Sequence, residues 1–384
     1  MKITGCRAIP LNVEMTLDAG AVSRRTNLSC VLVRLDADDG SFGTGFTAIT
    51  EEEVVAAAIE QVASQAVIGM DPIAHERIWE RLYWLLSPRG QSGYAAHAIA
   101  AIDLAVWDLK AKALGLPVWR LLGGARERVP VYATFGFGFF DRDQLVDAAR
   151  DWAARGFRRL KMTVGNHALQ RRDEPRPLSE VIAEDERRVR AVREAVGPDV
   201  ELCIDANCSL DAYHALRLAQ RLDDVNLAFF EEPVTQNDVR AMADLRARTR
   251  VPIAAGQNEG LASRFVDFFV ARAIDIAQPN VAITGGLTQC LRIAGTAQAF
   301  NVAIANGGAW PFHNMHLHAG LAHGGFVEYH RSAVLLYEQI YRGLPPARDG
   351  WLEPGEAPGF GIEPDWDAVD ELARRPLSRG AGKA

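Results

Sequence analysis

Three oxygen-bearing residues recur at equal intervals in the middle of the chain. Asp205, Glu231 and Gln257 stand 26 residues apart in turn, and they close the apolar runs "ELCIDAN", "LAFFEEP" and "VPIAAGQ". Two carboxylates and an amide oxygen at one level suit a hard divalent cation, and Mg2+ keeps its other positions for water or substrate oxygens. A lone acid at such a place caps the next helix or pairs with a basic residue. Acids that end consecutive apolar runs at equal spacing favour the metal reading. The preceding run, "RLKMTV", ends in Lys161 and Thr163. Side chains alternate along a strand, so Lys161 and Thr163 share a face, as do Asp205 and Asn207. Later runs end in Asn280, in Asn306, and in Glu328 and His330.

The elements that carry these residues follow from periodicity. Eight short apolar runs alternate with amphipathic helical stretches: "VPVYATFG", "RLKMTV", "ELCIDAN", "LAFFEEP", "VPIAAGQ", "DIAQPN", "VAIANGG" and "FVEYH". From the third onward they begin at 201, 227, 251, 275, 302 and 326, room for a strand, a helix and two loops per step. Regular βα alternation predicts a parallel sheet, and eight units predict closure into a (β/α)8 barrel, with reactive groups at the C-terminal strand ends. The longer second interval contains "NHALQRRDEPRPLSE", read as an inserted loop. Ahead of the barrel, "MKITGCRAIPL" and "SCVLVRLDADDGSFGTGF" read as strands, the second folded at Asp38-Asp39-Gly40. Helical periodicity follows, ending in "SGYAAHAIAAIDLAVWDLKAKALG", where Ala98, Ile102, Ala105 and Leu109 share one face. The expected organisation is an α+β capping domain over 1–125, a barrel over 126–344, and a tail over about 345–384 that completes the cap.

Bulk properties set limits. The 384 residues are 48% apolar and 24% charged, with a formal net charge of −7. That charge argues against a nucleic-acid binder, while a few local cations suffice for a small anionic substrate. No run approaches a membrane span, and the five scattered cysteines form no CxxC pair, so the reading is a cytoplasmic protein without a disulfide framework.

These blocks resemble the enolase superfamily, in its mandelate racemase and muconate lactonising branch. "AAIDLAVWDLKAKALGLPVWRLLGG" is similar to that branch's signature at the join of cap and barrel. "GFRRLKMTVG", "RVRAVREAVGPDVELCIDAN", "FFEEPV", "VPIAAGQ" and "IAQPNVAITGGLTQ" match successive barrel blocks in order. The resemblance implies a modified (β/α)8 barrel under an α+β cap, a catalytic Mg2+, a homo-oligomer that is often an octamer, and a small carboxylate substrate. The implied chemistry removes the proton α to the carboxylate and holds the enediolate on the metal, with a Lys or His base. Carried over, Asp205 and Glu231 ligate the ion and Lys161 matches the first lysine of a K-x-K pair. Glu328, when protonated, would hydrogen-bond the substrate carboxylate. Asn207, Thr163 and Asn280 are placed to bind substrate.

The chain also departs from that pattern. Gln257 stands where the family has an acid, which removes one negative charge while keeping an oxygen donor. Thr163 replaces the second lysine, so Lys161 acts as the base or else only holds the substrate carboxylate. Asn280 replaces the Asp that orients a catalytic His, and Asn306 or Gly307 occupies the place of that His. His313 is then the expected acid, with His316 and His318 structural. In "LDAGAVSRRTNLS", a loop of the cap, Arg24 could meet an anionic or polyhydroxy substrate. The expected reaction is dehydration of an acid sugar or related hydroxy acid, since dehydration needs only one α-base. The alternatives are a racemase, epimerase or cycloisomerase on the same intermediate, and a non-catalytic acid-binding barrel. A metal hydrolase, prompted by "HLH" at 316–318, is set aside because such a pair belongs on the first strand, which here ends in aromatics.

Overall fold

The computed structural model describes residues 1–19, 22–86, 92–165 and 175–375. Most of the "NHALQRRDEPRPLSE" segment therefore lies outside the described residues.

The N-terminal part opens with an antiparallel meander: β1 (Ile3–Ala19), β2 (Val22–Ala37) and β3 (Phe42–Ala48). The turn between β2 and β3 falls where Asp-Asp-Gly predicts it, with Gly40 at φ +84° donating to the Ala37 carbonyl at 3.1 Å. The first hairpin is longer than the sequence suggests. Most of the expected cap loop is paired strand, with Leu17 opposite Arg24. One face of the meander packs on the helix Tyr94–Ala113, which is buried on nearly every side rather than on one stripe. Close approach explains the glycines of β3: a Cβ at Gly45 would lie 1.9 Å from the Ala101 carbonyl oxygen.

That helix also fastens the cap to the barrel. Asp103 accepts from the Thr288 backbone N–H at 2.9 Å and its hydroxyl at 2.6 Å, and Trp107 Nε1 donates to the same hydroxyl at 2.9 Å. Asp108 accepts from the backbone N–H of Thr44 at 2.8 Å and of Phe360 at 3.0 Å. The tail thus runs back against the cap, where a strand pair Tyr341–Arg342 with Glu363–Pro364 precedes the helix Trp366–Ala373. A further tail strand, Trp351–Leu352, pairs antiparallel with the first barrel strand.

The barrel strands are β4 (Val129–Gly136), β5 (Arg159–Thr163), β6 (Glu201–Asp205), β7 (Leu227–Glu231), β8 (Ile253–Ala255), β9 (Ile276–Ala277), β10 (Ala303–Ile304) and β11 (Val327–His330). All eight predicted runs are strands, and their neighbours pair in parallel in the order β10-β9-β8-β7-β6-β5-β4-β11. The segment after β10 meets the start of β11 through the Asn306 N–H on the Phe326 carbonyl at 2.9 Å. Short strands buried on both sides carry near-continuous apolar sequence, which is why they read as runs rather than alternations.

Candidate active site

Register brings the strand-end residues to one level. Thr163 lies opposite Asp205, and Asp205 opposite Glu231. At the centre sits Lys161, 1% exposed, with Nζ 3.0 Å from Asp205 Oδ2, 2.8 Å from Glu231 Oε2 and 2.9 Å from Glu328 Oε1. Burial alone would lower the lysine pKa, but Asp205, Glu231 and Glu328 outweigh it and hold Lys161 well above its ordinary value. It is an ammonium, gripped on three sides. Tyr132 lines the cluster with its ring centroid 5.4 Å from Nζ, and its hydroxyl donates to the Asn306 carbonyl at 2.6 Å.

Three carboxylates around one ammonium leave an excess of negative charge in a dry place. Glu231 bears that excess. Burial first, and Asp205 second, push its pKa well above the usual carboxylate range. Its Oε2 accepts from Lys161 and, at 2.9 Å, from Gln278 Nε2, while its buried Oε1 has no partner among the described residues. Glu328 behaves oppositely. Burial would raise it, but Lys161, His330, the Thr134 hydroxyl and the Ala309 N–H prevail and hold it at about 2. The Ala309 N–H donates to its Oε2 at 2.7 Å, and the Thr134 hydroxyl donates to its Oε1. The protonated donor expected of Glu328 is therefore not its state here; it is an anion paired with Lys161.

Gln257 is placed by its neighbour. Its Nε2 donates to Glu232 Oε2 at 2.8 Å, and Glu232 also accepts from Asn258 Nδ2 at 2.7 Å and from Asn237 Nδ2 at 2.9 Å. The acceptor role of Glu232 fixes which end of the Gln257 amide is nitrogen. The amide oxygen is thereby turned to the other side, where a Cβ added to Gly308 would lie 3.2 Å from it. A Cβ on Gly307 would lie 3.1 Å from the unpartnered Glu231 Oε1. The two glycines leave space beside both oxygens.

A divalent cation fits this donor set. An orphaned buried carboxylate oxygen, a second carboxylate on the adjacent strand and an outward-turned amide oxygen are hard donors. Among the described residues no three His, Cys, Asp or Glu side chains form a metal-holding group, in keeping with an amide at the third place.

The other expected site residues divide. Asn207, at φ +45°, has its Oδ1 3.4 Å from Gln257 Nε2 and lies at the site. The Thr163 hydroxyl donates to the Gly136 carbonyl at 3.0 Å, tying β5 to the loop after β4. Asn280 does not face substrate. It is fully buried, its Nδ2 donates to the carbonyls of Gly307 at 2.6 Å and Gly308 at 3.0 Å, and its Oδ1 accepts from the Ala282 N–H and Asn314 Nδ2. Asn280 props the glycine turn after β10. His313 is not brought to the strand ends either. It lies on the helix Pro311–Gly320, its Nδ1 is 2.7 Å from the Tyr337 hydroxyl, and it packs among Phe46, Tyr341 and Phe360. Burial pushes its pKa down to about 3, so it is a neutral structural histidine rather than an acid. Arg24 sits 4.5 Å over the Phe139 ring, which stacks on Phe137 at the barrel mouth.

Sequence reasoning missed Gln278 and Glu232. Gln278 directly follows β9, at the strand end where polar residues of the other runs gather. Glu232 follows Glu231 and should face away, but its φ of +42° breaks the alternation and turns it to the site.

Residues 10–123 match the "Mandelate racemase / muconate lactonizing enzyme, N-terminal domain" family, and residues 144–368 match "Enolase C-terminal domain-like". The chain is 31% identical to the D-galactarolactone cycloisomerase of Agrobacterium fabrum, over 97% of this chain and 99% of that one. It is 32% identical to the D-galactonate dehydratase of Ralstonia nicotianae, over 90% and 91%. Among solved structures, a racemase from Streptomyces coelicolor with bound magnesium superimposes with a TM-score of 0.86 at 27% identity, over 96% and 99%. With both family domains present in order on a barrel whose strand ends carry the cluster above, the chain belongs to the mandelate racemase/muconate lactonising branch of the enolase superfamily.

Proposed function

We infer that this protein removes the proton α to the carboxylate of an acid sugar or related hydroxy acid, and that the product is the dehydrated 2-keto acid. The observation that carries the reading is the Lys161 cluster, in which the buried lysine pairs with Asp205 and Glu231 Oε2 while Glu231 Oε1 has no partner among the described residues. Asp205, Glu231 and the Gln257 amide oxygen would hold Mg2+. When bound, the ion supplies Lewis-acid polarisation of the substrate carboxylate. Lys161 offers its charge to the same carboxylate, which stabilises the negative charge that develops when the α-proton leaves. Held as an ammonium by three carboxylates, it anchors the substrate and leaves proton removal to another group. Glu328 and the Ala309 N–H fix the lysine's third side. Asn207 lies beside Gln257, within reach of a substrate hydroxyl.

A cycloisomerase is the second reading, favoured by the 31% identity to a galactarolactone cycloisomerase. Both outcomes share the first proton removal and differ in what leaves or adds afterwards. The reading includes a homo-oligomer, supported by family resemblance, and a cytoplasmic setting. No helix among the described residues is long and apolar enough to cross a membrane. Incubating the protein and Mg2+ with a set of aldonates, aldarates and their lactones, followed by NMR, separates the cases. A 2-keto acid supports dehydration, a ring-opened or ring-closed isomer supports the second reading, and unchanged acids throughout refute both.

A further inference from the structure

With Lys161 Nζ ion-paired to Asp205, Glu231 and Glu328, Thr163 bonded to a backbone carbonyl and His313 enclosed among aromatics, the α-proton needs another acceptor. The ring of every other described histidine makes at least one hydrogen bond: His75, His97, His214, His313, His316, His318 and His323 all have partners. The ring of His330 has none among the described residues, and its Nδ1 is buried and unpaired. It ends β11, opposite Thr134 of β4. Two residues beyond Glu328, it points to the same face of its strand, one step nearer the mouth. The residue is half-buried, and Phe137 packs against its ring at 5.4 Å. Phe139 stacks on Phe137 at 5.5 Å, and Arg24 of the capping hairpin covers Phe139. An aromatic wall running from the cap thus ends on this imidazole.

We propose that His330 is the base that removes the proton α to the substrate carboxylate; the assignment rests on the functional reading above. Burial lowers its pKa below the ordinary histidine value, with Glu328 and Asp205 raising it and Lys161 lowering it. The remaining charged neighbours stand back: Arg188 on the Phe137 carbonyl and Arg24 beyond Phe139. At neutral pH the imidazole is a free base. The substrate Cα–H bond breaks, its electron pair moves into the carboxylate, and the proton forms a new N–H bond on the ring. The imidazolium faces the Glu328 carboxylate. It then gives this proton to the β-hydroxyl oxygen as that C–O bond breaks, releasing water and leaving an enol that becomes the 2-keto acid. The base is restored.

The test measures α-hydrogen exchange in D2O for the wild type, His330→Gln and His330→Phe, the last keeping a ring against Phe137. Mg2+ titration and circular dichroism run alongside. Both variants are expected to bind Mg2+ as the wild type does and to lose exchange by about 10²–10⁴-fold, the range for one proton-transfer group. Wild-type exchange should fall on the acid side as the imidazole protonates, and residual variant activity should lack that limb. A folded variant that exchanges at the wild-type rate overturns the assignment. If the wild type exchanges no acid, the functional reading has failed, and this inference falls with it.

Discussion

Gln257→Glu is the perturbation that most sharply probes the metal-holding set. In the native site Gln257 Nε2 donates to Glu232 at 2.8 Å, and this orients the amide oxygen. A carboxylate at 257 removes that bond, which as a bond to an acidic group is worth about 1.5–3 kcal/mol. It also sets two carboxylates side by side. Glu232, pushed up to about 7 by burial and then by Asp205, is the group ready to take a proton and bridge them. Its folded pKa lies above the unfolded value, so its ionisation costs stability as pH rises. The variant without metal should match the wild type most closely below pH 7 and lose stability above it. Metal binding moves the other way. One added charge about 4 Å from a divalent cation contributes on the order of 8 kcal/mol at an effective dielectric constant of 20, before solvent screening and the proton shared with Glu232 reduce it. The lost bond is absent with and without metal, so it lowers stability rather than affinity, and Mg2+ should bind roughly tenfold or more tighter. Calorimetric titration of the wild type, Gln257→Glu and Gln257→Ala at pH 7.5 reads this directly. Tighter binding in the first variant and weaker binding in the second are expected. Unchanged affinity in Gln257→Ala, or weaker binding in Gln257→Glu, would refute the placement of the amide as a ligand.

Three further outcomes follow from the same geometry. Lys161→Ala strands three buried carboxylates, so chemical denaturation should show a loss of about 3–5 kcal/mol, partly recovered by Mg2+. Because Glu231 is held above the usual carboxylate range and must be ionised to bind a cation, Mg2+ affinity should rise with pH and binding should release protons; titrations in buffers of different ionisation enthalpy test this. His313→Gln should lower the melting temperature through the lost Tyr337 contact while kcat on an accepted substrate stays near the wild-type value; a collapse of kcat in a folded variant would return His313 to the chemistry.

The barrel was legible because each buried strand is a compact apolar run, and equal spacing converts into equal height once the strands are parallel. Lys161, Asp205 and Glu231 meet for that reason. What lay hidden is tied to backbone that leaves the strand conformation. Glu232, Asn207, Ala309 and Trp310 all have positive φ, so alternation does not forecast where they or their neighbours turn. Glu232 became visible only through its three amide donors. His313 misled because three histidines within six residues look reactive, whereas their helix is buried along its whole length and each ring has a partner, in Tyr337, Phe360 and Gly325 respectively. Asn280 was read by its place on the strand, but its hydrogen bonds are consumed by the glycine turn it supports. The paired hairpin around Arg24 was read as a loop because polar residues dominate it, and cross-strand pairing is not a local property of sequence.

The central claim is metal-dependent removal of an α-proton, and α-hydrogen exchange tests it without requiring that the final product be known. Acid sugars incubated with the protein in D2O, with Mg2+ and with chelator, are followed by proton NMR at the α-position. The account predicts loss of the α-proton signal, through exchange or onward reaction, for at least one acid in the presence of Mg2+ and not with chelator. Retention of every α-proton with Mg2+ bound, or equal loss with chelator, would contradict it.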